Sequence, residues 1–215
     1  MSGPDAMDNL DFAALLCSRV CHDLISPVGA IVNGLEVLED DNDEATKTFA
    51  LELIKKSART ASARLQFCRL AFGAAGSAGA QIDLGDAESV ARGFLEDDKT
   101  KLTWGLPRIL LAKNRVKLLL NLLILAGQTI PRGGTLVVAP VGEGDTMGFQ
   151  ITATGLNARI PQAVPALVTA DPAAHVDAHA IQPFFTGMLA RSCGLAVTLA
   201  PEGEAIVVAA KPVAS

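Results

Sequence analysis

Between Ala14 and Leu38, apolar or small side chains return in alternating steps of three and four: Ala14, Cys17, Cys21, Leu24, Val28, Ile31, Leu35 and Leu38. Such a period commits the stretch to a helix packed against another helix, because it keeps one seam turned towards one partner. With Cys21 at heptad position a, His22 falls at b, outside the seam. The hexapeptide His22-Asp23-Leu24-Ile25-Ser26-Pro27 therefore carries an imidazole on the outside of a helix otherwise built to pack. The same register sets Arg19, Asp23, Ser26, Gly29, Ala30 and Asn33 on outer positions. A macromolecule approaching His22 would meet short side chains and almost no steric barrier.

The spacing predicts a first helix over 11–38 and a second ending near Phe72, with the acidic stretch Glu39 to Glu44 supplying the turn and an N-cap. Leu51, Ile54, Ala58, Ala61, Leu65, Cys68 and Phe72 repeat the same stepping on the second helix, so the two form an antiparallel hairpin. Val20, Ile25 and Val32 flank the first seam and widen its apolar stripe beyond what one partner helix covers. A second copy of the hairpin would cover the remainder and give a dimeric four-helix bundle. The alternative is that the C-terminal half of the same chain covers it.

Gly73-Ala-Ala-Gly-Ser-Ala-Gly-Ala80 has the composition of a flexible linker. The expected domains are a hairpin over 1–75, a linker over 76–80 and an α/β sandwich over 81–215. In the sandwich the sequence predicts a short strand at 81–84, a helix capped by Asp86 and running to Glu96, and a strand at 101–106. A leucine-rich helix follows at 114–128, apolar nearly all round and so buried against a sheet. Next come a hairpin of strands at 135–139 and 148–153, a short helix and loop within 163–180, a helix at 181–192, and a closing hairpin at 196–199 and 205–210. The fold class is α+β.

A chain of 215 residues that is 50% hydrophobic and 19% charged can bury a sizeable core. Its net charge of -5 argues against nucleic acid as a partner, since a phosphate backbone wants a basic stripe. The longest apolar stretch, Leu118 to Gly127, is interrupted by Asn121 and falls short of the roughly 20 residues a bilayer span needs. No membrane helix is expected. The acidic N-terminus lacks the order of a signal peptide, and the cytoplasm is the expected location. The four cysteines, Cys17, Cys21, Cys68 and Cys193, form no Cys-x-x-Cys pair and read as small core fillers in a reducing compartment.

The hexapeptide, the hairpin and the α/β order together resemble the dimerisation and ATP-binding domains of bacterial sensor histidine kinases. His22 to Pro27 is similar to their H-box, with Ile25 where kinases commonly carry arginine. Leu120-Asn121-Leu122-Leu123-Ile124-Leu125-Ala126 resembles the N-box, but its second asparagine, the magnesium ligand, is Leu125 here. Ala153-Thr154-Gly155-Leu156-Asn157 stands in place of Asp-x-Gly-x-Gly, so the adenine-binding carboxylate is Ala153 and the second glycine is Asn157. Gln182-Pro183-Phe184-Phe185 resembles the F-box, while Thr186-Gly187-Met188-Leu189 lacks the glycines of an ATP lid. Apolar side chains cannot replace a hard-cation ligand or a hydrogen-bonding acid.

A kinase scaffold that keeps its histidine and loses its nucleotide site resembles the histidine phosphotransferases of the ChpT family, over essentially the whole chain. That resemblance implies a homodimer whose second domain is a degenerate Bergerat-type ATPase domain. It also implies a partner receiver domain on a CckA-like hybrid kinase, and CtrA-like and CpdR-like response regulators of cell-cycle control. No cofactor would be bound, Mg²⁺ being supplied by the receiver.

Imidazole suits phosphorelay because an unperturbed pKa near 6.5 leaves it neutral and nucleophilic at about pH 7. At position b, Nε2 reaches outward as the phosphate acceptor. The family pattern suggests that Asp23 orients the imidazole or accepts its proton; the alternative is a merely solvated carboxylate, since Asp23 lies about 100° round the helix. Arg19 and Ser26, at i-3 and i+4, share the histidine face and could bind phosphate oxygens. Pro27 has no N–H and crowds the Asp23 carbonyl, bending the helix. Gly29 and the small residues around it form a docking surface, with Leu15 and Leu16 either its apolar part or covered by the second domain. His175 and His179 have the i, i+4 spacing of a metal pair, but no third ligand is evident beyond Asp171 or Asp177, and no metal is expected. Asn121 could keep a polar role in a vestigial cleft. Two rival readings are an active histidine kinase core using ATP and a non-enzymatic dimeric scaffold.

Overall fold

The computed structural model describes residues 8–40, 43–73, 80–144, 147–169 and 176–213. Most of the expected linker, together with His175 and Asp171, lies outside these residues. Two long helices lead the chain, α1 (Asn9–Asp40) and α2 (Glu44–Ala71). Asp43 caps α2: its carboxylate accepts the backbone N–H and the hydroxyl of Thr46, each at 2.9 Å, satisfying donors that a helix start leaves open. Those hydrogen bonds hold the Asp43 carboxyl below its ordinary range.

The hairpin closes on a different face of α1 from the expected seam. Pro27 and Gly34, at position g, are buried, and Leu24, Ile31 and Leu38, at d, are half-buried, while Ala14, Cys21, Val28 and Leu35, at a, are exposed. The smallest surface decides this. A Cβ on Gly34 would stand 2.6 Å from Cγ1 of Ile54, so α2 approaches where α1 has no side chain. Cys17 and Cys21 are consequently exposed rather than core fillers; Cys68 is buried and Cys193 half-buried.

The apolar stripe remains open. Ile25 is 71% exposed, Val28 and Val32 48% each, and Leu35 47%, so the α/β half of the chain does not cover it. Contrary to the expectation of no such helix, α1 is long and apolar enough to cross a membrane by length and composition. Much of its exposed apolar surface, Ile25, Val28, Val32 and Leu35, shares one stripe at positions a and e, while positions d and g face α2.

In the α/β half, β1 (Gln81–Asp83) pairs antiparallel with β3 (Leu110–Ala112), a strand too short to show as a pattern. The helix α3 (Leu84–Leu95) is capped by Asp83, whose carboxylate accepts the Gly85 N–H at 2.6 Å. Asp86 lies inside the first turn, because the helix starts directly from β1. The main sheet runs β2 (Thr100–Trp104), β4 (Gly134–Val141), β5 (Gly148–Thr154), β7 (Ala205–Pro212), β6 (Leu195–Glu202). Only β2 and β4 are parallel, and the chain between them carries the leucine-rich helix α4 (Lys113–Thr129). Leu136 and Val138 of β4 and Phe149, Ile151 and Ala153 of β5 alternate onto one buried face, as a sheet covered on one side requires.

Why α4 is apolar all round follows from its neighbours. It meets β5 and β7 on the sheet side and α2, α3 and α6 (Ile181–Ser192) elsewhere. Among the described residues before α6 is one short helix, α5 (Val164–Val168). The far end of the hairpin joins the same core. Phe67 of α2 stacks on Phe94 of α3 with ring centroids 4.0 Å apart, and Phe185 of α6 touches Phe12 of α1 and Phe72 at 5.8 and 6.0 Å. Asn121 is fully buried and is a tie rather than the remnant of a cleft. Its Nδ2 donates to the Ala71 carbonyl at 3.1 Å, and its Oδ1 accepts from Gln182 Nε2 at 3.2 Å. One side chain thus fastens α2, α4 and α6 together.

Candidate phosphoacceptor site

His22 projects from the middle of α1 with 67% of its side chain exposed. Its Nδ1 lies 3.5 Å from Oδ1 of Asp23, whose side chain is only 15% exposed. Asp23 is therefore not a solvated carboxylate on an outer position. Oδ2 accepts from Arg19 Nε at 3.1 Å across one helical turn, and Arg19 is itself 18% exposed. A proton carried on Nδ1 would face that carboxylate and leave the lone pair on Nε2. That is the tautomer needed for attack from the exposed edge of the ring.

A third residue completes the anchoring, and the sequence reading did not include it. Pro27 has no N–H to give to the carbonyl four residues earlier, which is that of Asp23. Arg64 of α2 reaches across and donates Nη1 to that carbonyl at 2.5 Å. An unpaired carbonyl in a packed hairpin is costly, so Pro27 was the signal that some donor had to arrive; which donor depends on hairpin register. Beneath lies Cys68, its thiol pushed up to about 11 by burial first and by the Asp23 carboxylate second, with Arg19 and Arg64 opposing. It is an inert filler.

The other expected site residues are placed as follows. Ser26 is exposed on the histidine side. Gly29 opens onto free space, with nothing within 4 Å of where a Cβ would stand. Leu15 and Leu16 are half-buried rather than exposed, and Leu16 lines an apolar groove between the helices with Val20, Cys21, Leu65 and Phe72. Arg19 is engaged by Asp23. Among the described residues no group of three His, Cys, Asp or Glu could hold a metal ion. His179 lies instead against His22, their ring centroids 5.7 Å apart and their planes at 81°. No spacing in the sequence links these two.

An exposed imidazole backed by an anchored carboxylate, carried on a helical hairpin fused to an α/β unit, is the arrangement expected of a histidine phosphotransferase. Known proteins agree. The profile of the histidine phosphotransferase C-terminal domain matches residues 84–205. The chain is 49% identical over 212 residues to the protein phosphotransferase ChpT of Brucella abortus (strain 2308), covering 98% of this chain and all of that one. A solved structure described as a bacterial phosphotransferase superposes with a TM-score of 0.87 at 46% identity, over 98% of this chain and 100% of the other. The chain belongs to the histidine phosphotransferase family.

Proposed function

We propose that this protein carries phosphoryl groups between receiver domains through Nε2 of His22. The observation that carries the reading is the geometry of that one ring, its side chain 67% exposed and its Nδ1 set 3.5 Å from a carboxylate that is only 15% exposed. Nε2 attacks the phosphorus of a receiver's aspartyl phosphate. The N–P bond forms as the P–O bond to the aspartate breaks, and the carboxylate leaves with the electron pair. His22 keeps its Nδ1 proton, and the positive charge gained by the ring is met by Asp23. Reversal towards a second receiver completes the relay. The Mg²⁺ that neutralises the transferring group belongs to the receiver, and this chain contributes position and an unobstructed approach.

The family resemblance extends this to a cytoplasmic relay of cell-cycle control, from the receiver of a CckA-like hybrid kinase to CtrA-like and CpdR-like regulators. The protein acts as a homodimer, the open stripe of α1 meeting its counterpart in a four-helix bundle. Autophosphorylation from ATP is not expected. Leu125 and Ala153, standing where a kinase has a magnesium ligand and an adenine-binding acid, are 1% and 0% exposed and belong to the apolar core. Asn157 adopts φ 60°, a left-handed conformation that asparagine tolerates without a glycine.

A phosphorylated receiver should label the purified protein, and His22→Ala should abolish labelling while leaving the circular dichroism spectrum unchanged, because the ring is exposed. Persistent labelling of the variant would overturn the assignment. Phosphohistidine formed from ATP and Mg²⁺ alone would favour a kinase.

A further inference from the structure

The α/β half reaches into the hairpin's reactive site at one point. His179 sits in the turn that leads into α6, and that turn is tightly specified: the Asp177 carboxylate accepts the N–H groups of His179 and Ala180, each at 2.8 Å, and its carbonyl accepts the N–H of Ile181 at 2.9 Å. Behind it, α6 is fixed to the rest of the molecule by the Gln182 to Asn121 bonds at 3.0 and 3.2 Å and by Phe185 against Phe12 of α1. The imidazole of His179 is thus held on a braced arm. It stands nearly perpendicular to the ring of His22 at 5.7 Å, within the range and orientation in which aromatic rings attract edge to face.

We propose that His179 is a positioning residue for His22. An exposed imidazole turns about its Cβ–Cγ bond over a broad, two-fold well. Asp23 constrains one nitrogen at 3.5 Å, which is too long to fix the ring plane by itself. The perpendicular ring of His179 supplies the second constraint, and two contacts define a plane. The lone pair on Nε2 then points in one direction, which in-line attack on a phosphoryl group requires. On this view the α/β half completes the phosphotransfer site within the same chain.

The inference rests on His22 being the phosphoacceptor, and the test separates the two claims. Phosphoramidate, a small donor needing no protein surface, should label the wild type and fail to label His22→Ala; that result concerns the acceptor alone. His179→Ala should then be labelled roughly tenfold more slowly by phosphoramidate and by a phosphorylated receiver alike, with kcat for the receiver reduced and KM little changed. His179→Phe keeps a ring that can lie edge to face and should recover most of the rate. In nuclear magnetic resonance spectra, the Cε1 proton of His22 should move in His179→Ala as the neighbouring ring current is lost. Unchanged rates with both donors, or an unmoved His22 resonance, would overturn the proposal. So would a loss confined to the receiver with KM raised, which would make His179 a docking contact. Both variants alter an exposed side chain, and thermal melts matching the wild type confirm that folding is intact.

Discussion

The hairpin and the α/β half treat apolar surface in opposite ways. In α4, Leu118, Leu119, Leu120, Leu122 and Leu123 are all 0% exposed, and every direction around the helix is taken by a strand or another helix. In α1 an equally regular set of apolar residues is left facing out, and His22 stands next to it. The first region spends its side chains on a fold that one chain can finish. The second leaves part of its apolar surface open. Where a histidine must meet several partners, the element carrying it has to stay accessible, and its rigidity must come from a few anchored contacts rather than from burial.

The largest expected effect lies in the region that is complete. Leu123→Ala should lower the unfolding free energy in denaturant titrations by about 2–5 kcal/mol, the cost of a cavity in a core with no room to collapse. Charge on the open stripe should do the reverse. Val32→Glu or Ile25→Glu should leave helix content intact and shift sedimentation from dimer to monomer, since a carboxylate would be buried in the bundle. A wild-type protein that sediments as a monomer would break this half of the comparison.

The anchoring of the reactive face can be tested by a double-mutant cycle. Arg64→Ala removes the donor to the Asp23 carbonyl and should cost about 1–3 kcal/mol. In a Pro27→Ala background the helix regains its own donor, so the same change should cost less. Additive losses in thermal or denaturant melts would show that Arg64 does not serve the carbonyl freed by Pro27.

Two glycines one turn and a half apart should respond with opposite signs. Gly34→Ala pushes a methyl group into Ile54 and should destabilise by about 1–3 kcal/mol. Gly29→Ala meets empty space and should gain up to about 1 kcal/mol in helix propensity. Gly29→Lys should remain folded and accept phosphate from phosphoramidate, yet lose transfer from receivers if they cross this face. Normal receiver transfer would move the docking surface elsewhere.

The effect that is smallest near neutral pH is that of the Cys68 thiol. The Cys68 thiol is held up to about 11 in the folded chain against an ordinary value of 9.0. Between those values the unfolded chain releases its proton first, so stability present below pH 9 should decline as pH rises towards 11. Near pH 8 Cys68 should resist alkylation while the protein is folded. Rapid labelling there would show that the hairpin opens beneath His22.

The sequence by itself determined the elements whose cause is local. A step of three and four makes α1 a packing helix and places His22 off its seam; an all-apolar run makes α4 central; Asp43 before Glu44 makes a cap. Each rests on neighbours within a turn or two, and periodicity reports those directly. Which face of α1 meets α2 was decided only in three dimensions, because the closeness of two backbones at Gly34 depends on what stands opposite, here Ile54. The same holds for the site. Pro27 announced a carbonyl in need of a donor, but that the donor is Arg64, 41 positions away, follows from the register of the hairpin. His179 meets His22 only because the core carries α6 back to α1, and no pattern along the chain encodes a contact made by the packing of everything between.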